Sequence, residues 1–400
     1  MIPSYRKAYN EAFSDAKYRQ FIAYLDAAHK SPVKFRVSET PVFLPDDFVQ
    51  KLLQAGEEII DTLVQPDFAQ KMDGAIPPNL RVPNEDKHTT FLAFDYAICE
   101  DENGALTPKL IELQGFPSLY YYQVLLANAY RKFQKIPDNT TYLFSNLSEE
   151  NYLQQLNDIL LNGYAAENVI LLEIEPHKQN TAIDFYVTEH YAGIRAVCIS
   201  EIIREGKKLY YMRKGKKIRI RRIYNRVIFD ELLRRDDLPR QFNLTEPVDI
   251  EWAGHPNWFF KISKYTMPHL HSSFVPESKY LSQFETFPEN LSEYVLKPLF
   301  SFSGQGVVYN VTPEDIAAVP LSEYSNYMLQ KKIAYKPVVE APDGLIKVEV
   351  RVLYWWKEGA LRPEPVVNLA RLSRGEMIGV RYNKDKTWVG GSIGFLNKSA

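Results

Sequence analysis

YVLKPLFSFSGQGVVYN, residues Tyr294 to Asn310, is the stretch on which the reading of the chain turns. Tyr-Val-Leu-Lys297-Pro is β-prone, Ser301 to Gly306 has the residues of a flexible turn, and Val-Val-Tyr resumes a strand. The pattern predicts a hairpin whose tip can bend over a ligand. Glycines let a backbone come close to that ligand and aim N–H groups at it, while Lys297 at the strand end supplies a point charge. The combination suits phosphate; the plain alternative is a Gly-containing hairpin with a surface lysine. No Walker-type G-x-x-x-x-G-K-[ST] occurs, and the G-x-G is too short for a dinucleotide fingerprint.

A second stretch lies far upstream: Phe91 to Gln123, FLAFDYAICEDENGALTPKLIELQGFPSLYYYQ. It reads as two strands, around Phe94–Cys99 and Lys109–Gln114, joined by the turn residues Glu100 to Gly104. Strand side chains alternate, so Glu112 and Gln114 share one face, and a neighbouring strand would bring Asp95 beside them. Two carboxylates and an amide oxygen at one spot form a hard oxygen site of the kind Mg²⁺ uses with nucleotide phosphates. Solvated strand residues are the plain alternative, but the flanks are Phe, Leu and Ile.

Together these stretches resemble the ATP-grasp superfamily of carboxylate–amine ligases in its circularly permuted form, with glutathionylspermidine synthase and related ligases as the family most alike. Ala93-Phe94-Asp95-Tyr96 and Glu112-Leu-Gln114-Gly-Phe-Pro117-Ser118-Leu119 are similar to that family's metal strands, R-F-D-F and E-x-N-A-D-T-P-T-S-L. Tyr294-Val-Leu-Lys297-Pro-Leu is similar to its phosphate strand, Y-V-R-K-P-L. The likeness covers scattered motifs in residues 90–125 and 220–395. It implies an α/β (α+β) ATP-grasp fold, permuted, with a small Rossmann-like βαβ domain. It also implies ATP and Mg²⁺ as cofactors and a small-molecule carboxylate and amine as substrates. The chain departs from the pattern at Gln114, where the family usually has Asn, at Ala93, where it has a catalytic Arg, and at Gly115-Phe-Pro117, where it has A-D-T-P.

Composition bounds the rest. The 400 residues are 45% hydrophobic and 24% charged, an ordinary globular balance, and the net charge of −2 gives no general attraction to nucleic acid or anionic membrane. Two cysteines, Cys99 and Cys198, sit in apolar β-like runs and read as buried free thiols. The opening MIPSYRKAYNEAFSD lacks the apolar core of a signal peptide, and no apolar run reaches the roughly 18 residues of a membrane span, so a cytoplasmic protein is expected. Oligomeric state is left open.

In chain order, Ser4 to His29 and Pro45 to Met72 predict helices, the second with Phe48, Leu52, Leu53, Ile59, Ile60 and Leu63 as its inner face. His88 stands in a polar loop. Gly115 to Ser118 fits the start of an aromatic helix running to about Phe133, which would aim its N–H groups at the metal site and put Ser118 near substrate. Ser148 to Leu161 predicts another helix. Asn168 to Ile174, Thr181 to Tyr191 and Ala196 to Ile199 make a βαβ unit, with His177 in the loop after its first strand, where open α/β sheets bind ligands.

Arg204 to Arg226, REGKKLYYMRKGKKIRIRRIYNR, is the most basic stretch. Clustered Lys and Arg with Tyr permit a nucleic-acid surface, but the alternation about Arg213-Lys-Gly-Lys favours a hairpin with one solvated face. Arg222 and Arg226 follow it. By resemblance to the permuted ligases they would hold an anionic substrate, and Arg371 in Asn368-Leu-Ala-Arg371-Leu-Ser would stabilise charge on a transferred phosphoryl group, with Asn368 near substrate. By the same likeness Lys264, Lys297, Ser303, Gly304, Gln305 and Gly306 would hold the ATP phosphates, Gln330 and Lys331 would mark the adenine hinge, and Asp95, Glu112 and Gln114 would hold the metal. Lys347-Val-Glu349-Val-Arg351 is like the family's acidic-x-Arg strand. The expected segments are 1–145 (helices and metal strands), 146–250 (Rossmann-like), 251–345 (nucleotide lobe) and 346–400 (return to the core). The expected reaction is ATP-dependent C–N ligation through an acyl phosphate; the alternatives are a nucleotide binder without turnover, or a nucleic-acid binder using the basic hairpin.

Overall fold

The computed structural model describes all residues except 30, 301–305, 376, 377, 379–382, 384, 399 and 400. Its main sheet is antiparallel, in the order Gly390–Ser392, Glu364–Ser373, Gly344–Trp355, Phe91–Glu100, Leu106–Gln114. The two upstream strands and the strands of residues 344–392 therefore form one sheet. Phe91–Glu100 sits near its middle and is buried at every residue but Glu100. Helix Asp46–Leu63 uses Phe48, Leu52, Ile59, Ile60 and Leu63 as its buried face, while Leu53 stays half-buried.

Beside this body stands a four-stranded parallel sheet in the order Glu251–Ala253, Arg222–Asn225, Val169–Glu173, Arg195–Cys198. Helix Ala182–Ala192 makes the crossover of its βαβ unit. Strand Val169–Glu173 is fully buried, as a short apolar run between parallel neighbours must be. The basic stretch folds as a three-stranded antiparallel sheet, Ile203–Glu205, Lys208–Arg213 and Lys216–Ile220. Lys214 and Gly215 both have positive φ, 49° and 75°, the geometry of a tight two-residue hairpin turn.

A third body pairs Tyr327–Lys331 with Ser278–Tyr280 on one side and Tyr294–Pro298 on the other. The return arm expected after the glycine turn is reduced to one bridge, Leu296 with Val308. One expected helix differs. The aromatic helix runs Tyr122–Phe133 and starts four residues beyond Ser118, with Leu119 between them in a left-handed φ of 56°. The Trp258 to Pro268 segment breaks into helix Asn257–Lys261 and a 3₁₀ turn Lys264–His269. Ser263 is extended between them, and its hydroxyl accepts the Tyr265 N–H at 3.2 Å. Cys99 and Cys198 are free and buried. No helix among the described residues is long and apolar enough to cross a membrane.

Candidate functional site

Cross-strand register builds the site. Glu112, Asp95, Arg351 and Leu369 stand opposite one another across four strands of the main sheet, and Glu349 pairs with Arg371 in the next row on the same face. Asp95 is 1% exposed. Arg351 grips it in a two-pronged bond, Nε to Oδ1 at 2.5 Å and Nη2 to Oδ2 at 2.6 Å, and Arg371 Nη2 reaches the same Oδ2 at 2.9 Å. Arg371 also pairs with Glu349, and the Tyr335 hydroxyl donates to Glu349 at 3.3 Å. Burial alone would raise the Asp95 carboxyl, but the two guanidinium charges outweigh it and hold the group below its usual range. Glu349 goes the other way: burial pushes it up to about 7 against the pull of Arg371.

The amide of Gln114 donates to Glu112 Oε1 at 2.8 Å, and the Arg351 hydroxyl partner is Ser118, whose Oγ accepts from Nη1 at 3.3 Å. The three residues expected to hold metal thus have protein partners here. Both Asp95 oxygens are occupied by guanidinium donors, and Gln114 turns an N–H toward Glu112. No group of three or more His, Cys, Asp or Glu residues among those described is arranged to hold a metal ion. The helix expected to aim N–H groups here does not do so, since the Tyr122 N–H donates to Asp184 Oδ1 at 3.0 Å.

Two lysines approach from the third body. Lys297 Nζ donates to Gln330 Oε1 and, at 3.4 Å, to the Ile111 carbonyl; Gln330 in turn donates to Ser278 at 3.2 Å. Burial brings Lys297 down to about 8; Glu112 and Glu349 pull it up, and the nearby charge of Lys264 pushes it further down. Lys264, 9% exposed, is also lowered, by burial against the charges of Glu112 and Asp230. A cavity of about 350 Å³ opens where these groups meet, with Glu112, Gln114, Ser118, Lys264, Glu173 and Asp230 in its wall. Glu173 ends the buried strand Val169–Glu173, and burial pushes it up to about 8 despite the Ile174 N–H and Arg226.

The structure leaves several expected site residues elsewhere. Arg222 is spent on Glu251 at 2.8 Å and on the Leu160 and Ile159 carbonyls. Arg226 borders the cavity but its guanidinium pairs with Asp184 at 2.8 Å, tying the parallel sheet to its own helix. His177 lies in a separate pocket, hydrogen-bonded to the Tyr186 hydroxyl at 2.7 Å. Asn368 stands one residue out of phase with Arg371, on the other face, where it bonds Tyr142 and Gly394. His88 stacks on Trp356, ring centres 4.1 Å apart. Lys331 is exposed at its strand end.

Ser303, Gly304 and Gln305 lie outside the described residues. Gly306 is described: its φ of 72° and the 2.9 Å that would separate a Cβ from Pro298 both demand glycine. Glu349, Arg351, Tyr335 and Glu173 belong to the site and were not among the expected ligands. Glu349-x-Arg351 in an alternating strand carried the signal, since residues two apart share a face. Glu173, a lone acid closing an apolar parallel strand, carried another.

No protein-family model and no curated protein matches the chain. Among solved structures, a glutathione synthetase-like effector, GSS30 from Globodera pallida in its apo form, superposes with a TM-score of 0.54. It is 10% identical, and the match covers 91% of this chain and 90% of that one. The likeness is one of architecture: this chain has a mixed α/β fold of the glutathione synthetase-like kind.

Proposed function

We propose that the chain is an ATP-dependent carboxylate–amine ligase whose nucleotide phosphates sit at the Lys264–Lys297 side of the cavity. One observation carries this reading. The buried Lys264 and the half-buried Lys297 stand close enough to repel one another beside the cavity, so two ammonium groups converge where a phosphate anion would meet both. The fold likeness to a glutathione synthetase-like protein supports the same class.

ATP, when bound, would supply the phosphoryl group that activates a carboxylate. Lys264 and Lys297 would hold its phosphates, and Arg371, 38% exposed beside Asp95, would offset charge that grows on the transferred group. Glu173, protonated below about pH 8, would serve as the proton carrier on the amine side. Asp95, Glu112 and Gln114 do not fit a magnesium ion in this arrangement, so no step is assigned to one. The guanidinium pair on Asp95 favours a second reading, a nucleotide binder without turnover, because it occupies the carboxylate such a reaction would use.

Release of ADP from ATP, measured against a panel of carboxylates and amines with and without Lys297→Met, tests the proposal. ADP formed only when a particular pair is present, and lost in the variant, is the expected result. Nucleotide binding with no ADP from any pair would leave the binder reading.

A further inference from the structure

The sheet face that carries Asp95 continues past Arg371 to a second cavity, of about 500 Å³, large enough for a small organic molecule. Gly391 stands opposite Arg371 in the strand register, so no side chain fills the sheet there. Phe35, Leu126 and Leu369 make its surroundings mostly apolar. Both this cavity and the one beside Lys264 reach Thr181; Arg371 lines this one, and Glu112 and Ser118 line the other.

Gln123 lines the second cavity and is fully buried, yet neither its amide oxygen nor its amide nitrogen has a hydrogen-bond partner among the described residues. The Tyr122 hydroxyl and Arg371 Nε, from two more residues of the same lining, are unmatched as well. Buried polar groups are almost always satisfied, and an amide left unmatched on both sides of an apolar cavity calls for a partner that donates and accepts together. A carboxamide does this: its N–H meets the Gln123 oxygen and its carbonyl meets the Gln123 nitrogen. A carboxylate meets only the donor.

We propose that this cavity binds a small, mostly apolar molecule carrying a carboxamide or peptide amide, read by Gln123 and seated beside Arg371. Its role as one of the two substrate sites rests on the ligase function proposed above; the binding itself does not. The nucleotide-free full chain, titrated calorimetrically with 3-phenylpropanamide, 3-phenylpropionate and propylbenzene, tests the site without reference to ATP.

The amide should bind with a Kd of about 1 mM or tighter, and the carboxylate and hydrocarbon about tenfold more weakly. Gln123→Leu should abolish the preference for the amide while keeping the propylbenzene affinity. Gly391→Val, placed where an added Cβ meets only ordinary contacts with Phe35 and Arg36, should block all three by filling the cavity. Equal affinity for amide and hydrocarbon in the unmodified chain, binding that survives Gly391→Val, or no binding by any of the three would overturn the proposal. A chain that takes the amide but not ATP would contradict the ligase function and leave this site standing.

Discussion

Asp95 shows why the identity of a residue is easier to read than its state. Its place beside Glu112 was legible, because alternation and a short turn fix the register of two adjoining strands. Its partners were not, since Arg351 and Arg371 come from strands more than 250 residues later and nothing local announces which carboxylate they will meet. The pairing has a consequence for stability. Removing one partner of a buried ion pair leaves charge uncompensated, so Arg351→Met should destabilise the fold by about 3–5 kcal/mol in denaturant unfolding. A loss below about 1 kcal/mol, the range of surface pairs, would mean Asp95 is solvated.

Glu173 makes a pH prediction at the same scale. Its folded value of about 8 lies above the ordinary 4.5, so between those values the folded chain keeps a proton that the unfolded chain has lost. Stability contributed by this group therefore falls as pH rises through that window. In thermal unfolding, Glu173→Gln should gain stability relative to the unmodified chain from pH 4.5 to 8 and then level off. A difference independent of pH would place the carboxyl in water.

Elements were legible where their pattern is local. The βαβ unit, the helix capped by Ser148 and the basic hairpin all form near the expected positions, because period, cap and turn chemistry sit within a few residues of each other. The Gly115-Phe-Pro117 segment failed as a helix start for a non-local reason. A Cβ on Gly115 would lie 2.6 Å from the Trp258 carbonyl oxygen and 2.9 Å from Ile262, and its N–H donates to the Ile262 carbonyl at 2.8 Å. That glycine serves a close approach, which brings the Lys264 segment against the end of strand Leu106–Gln114. Gly115→Ala should therefore cost about 1–3 kcal/mol by overpacking and also weaken anion binding, read by unfolding and by ATP titration. Unchanged stability would show that the two segments can separate freely.

At the scale of the molecule, the expected α/β class stands, and residues 91–114 and 344–373 lie in one sheet. What the sequence did not disclose is the state of the site: an arginine-filled carboxylate face, two lysines round one glutamate, and a second cavity past Arg371. These depend on side chains from strands and turns far apart in the chain, and only tertiary structure sets their charge balance.

The most direct measurement is a thermal-shift titration with ATP in EDTA, comparing the unmodified chain with Lys297→Met. We expect saturating ATP, at 100 times its Kd, to stabilise the unmodified chain by about 2.7 kcal/mol without added metal. The variant should be more stable than the parent by about 1 kcal/mol before ATP is added, because a half-buried cation is gone, and should show no shift with ATP. An unmodified chain that does not respond to ATP, or a variant that responds as strongly, would contradict the assignment of Lys264 and Lys297 as a phosphate site.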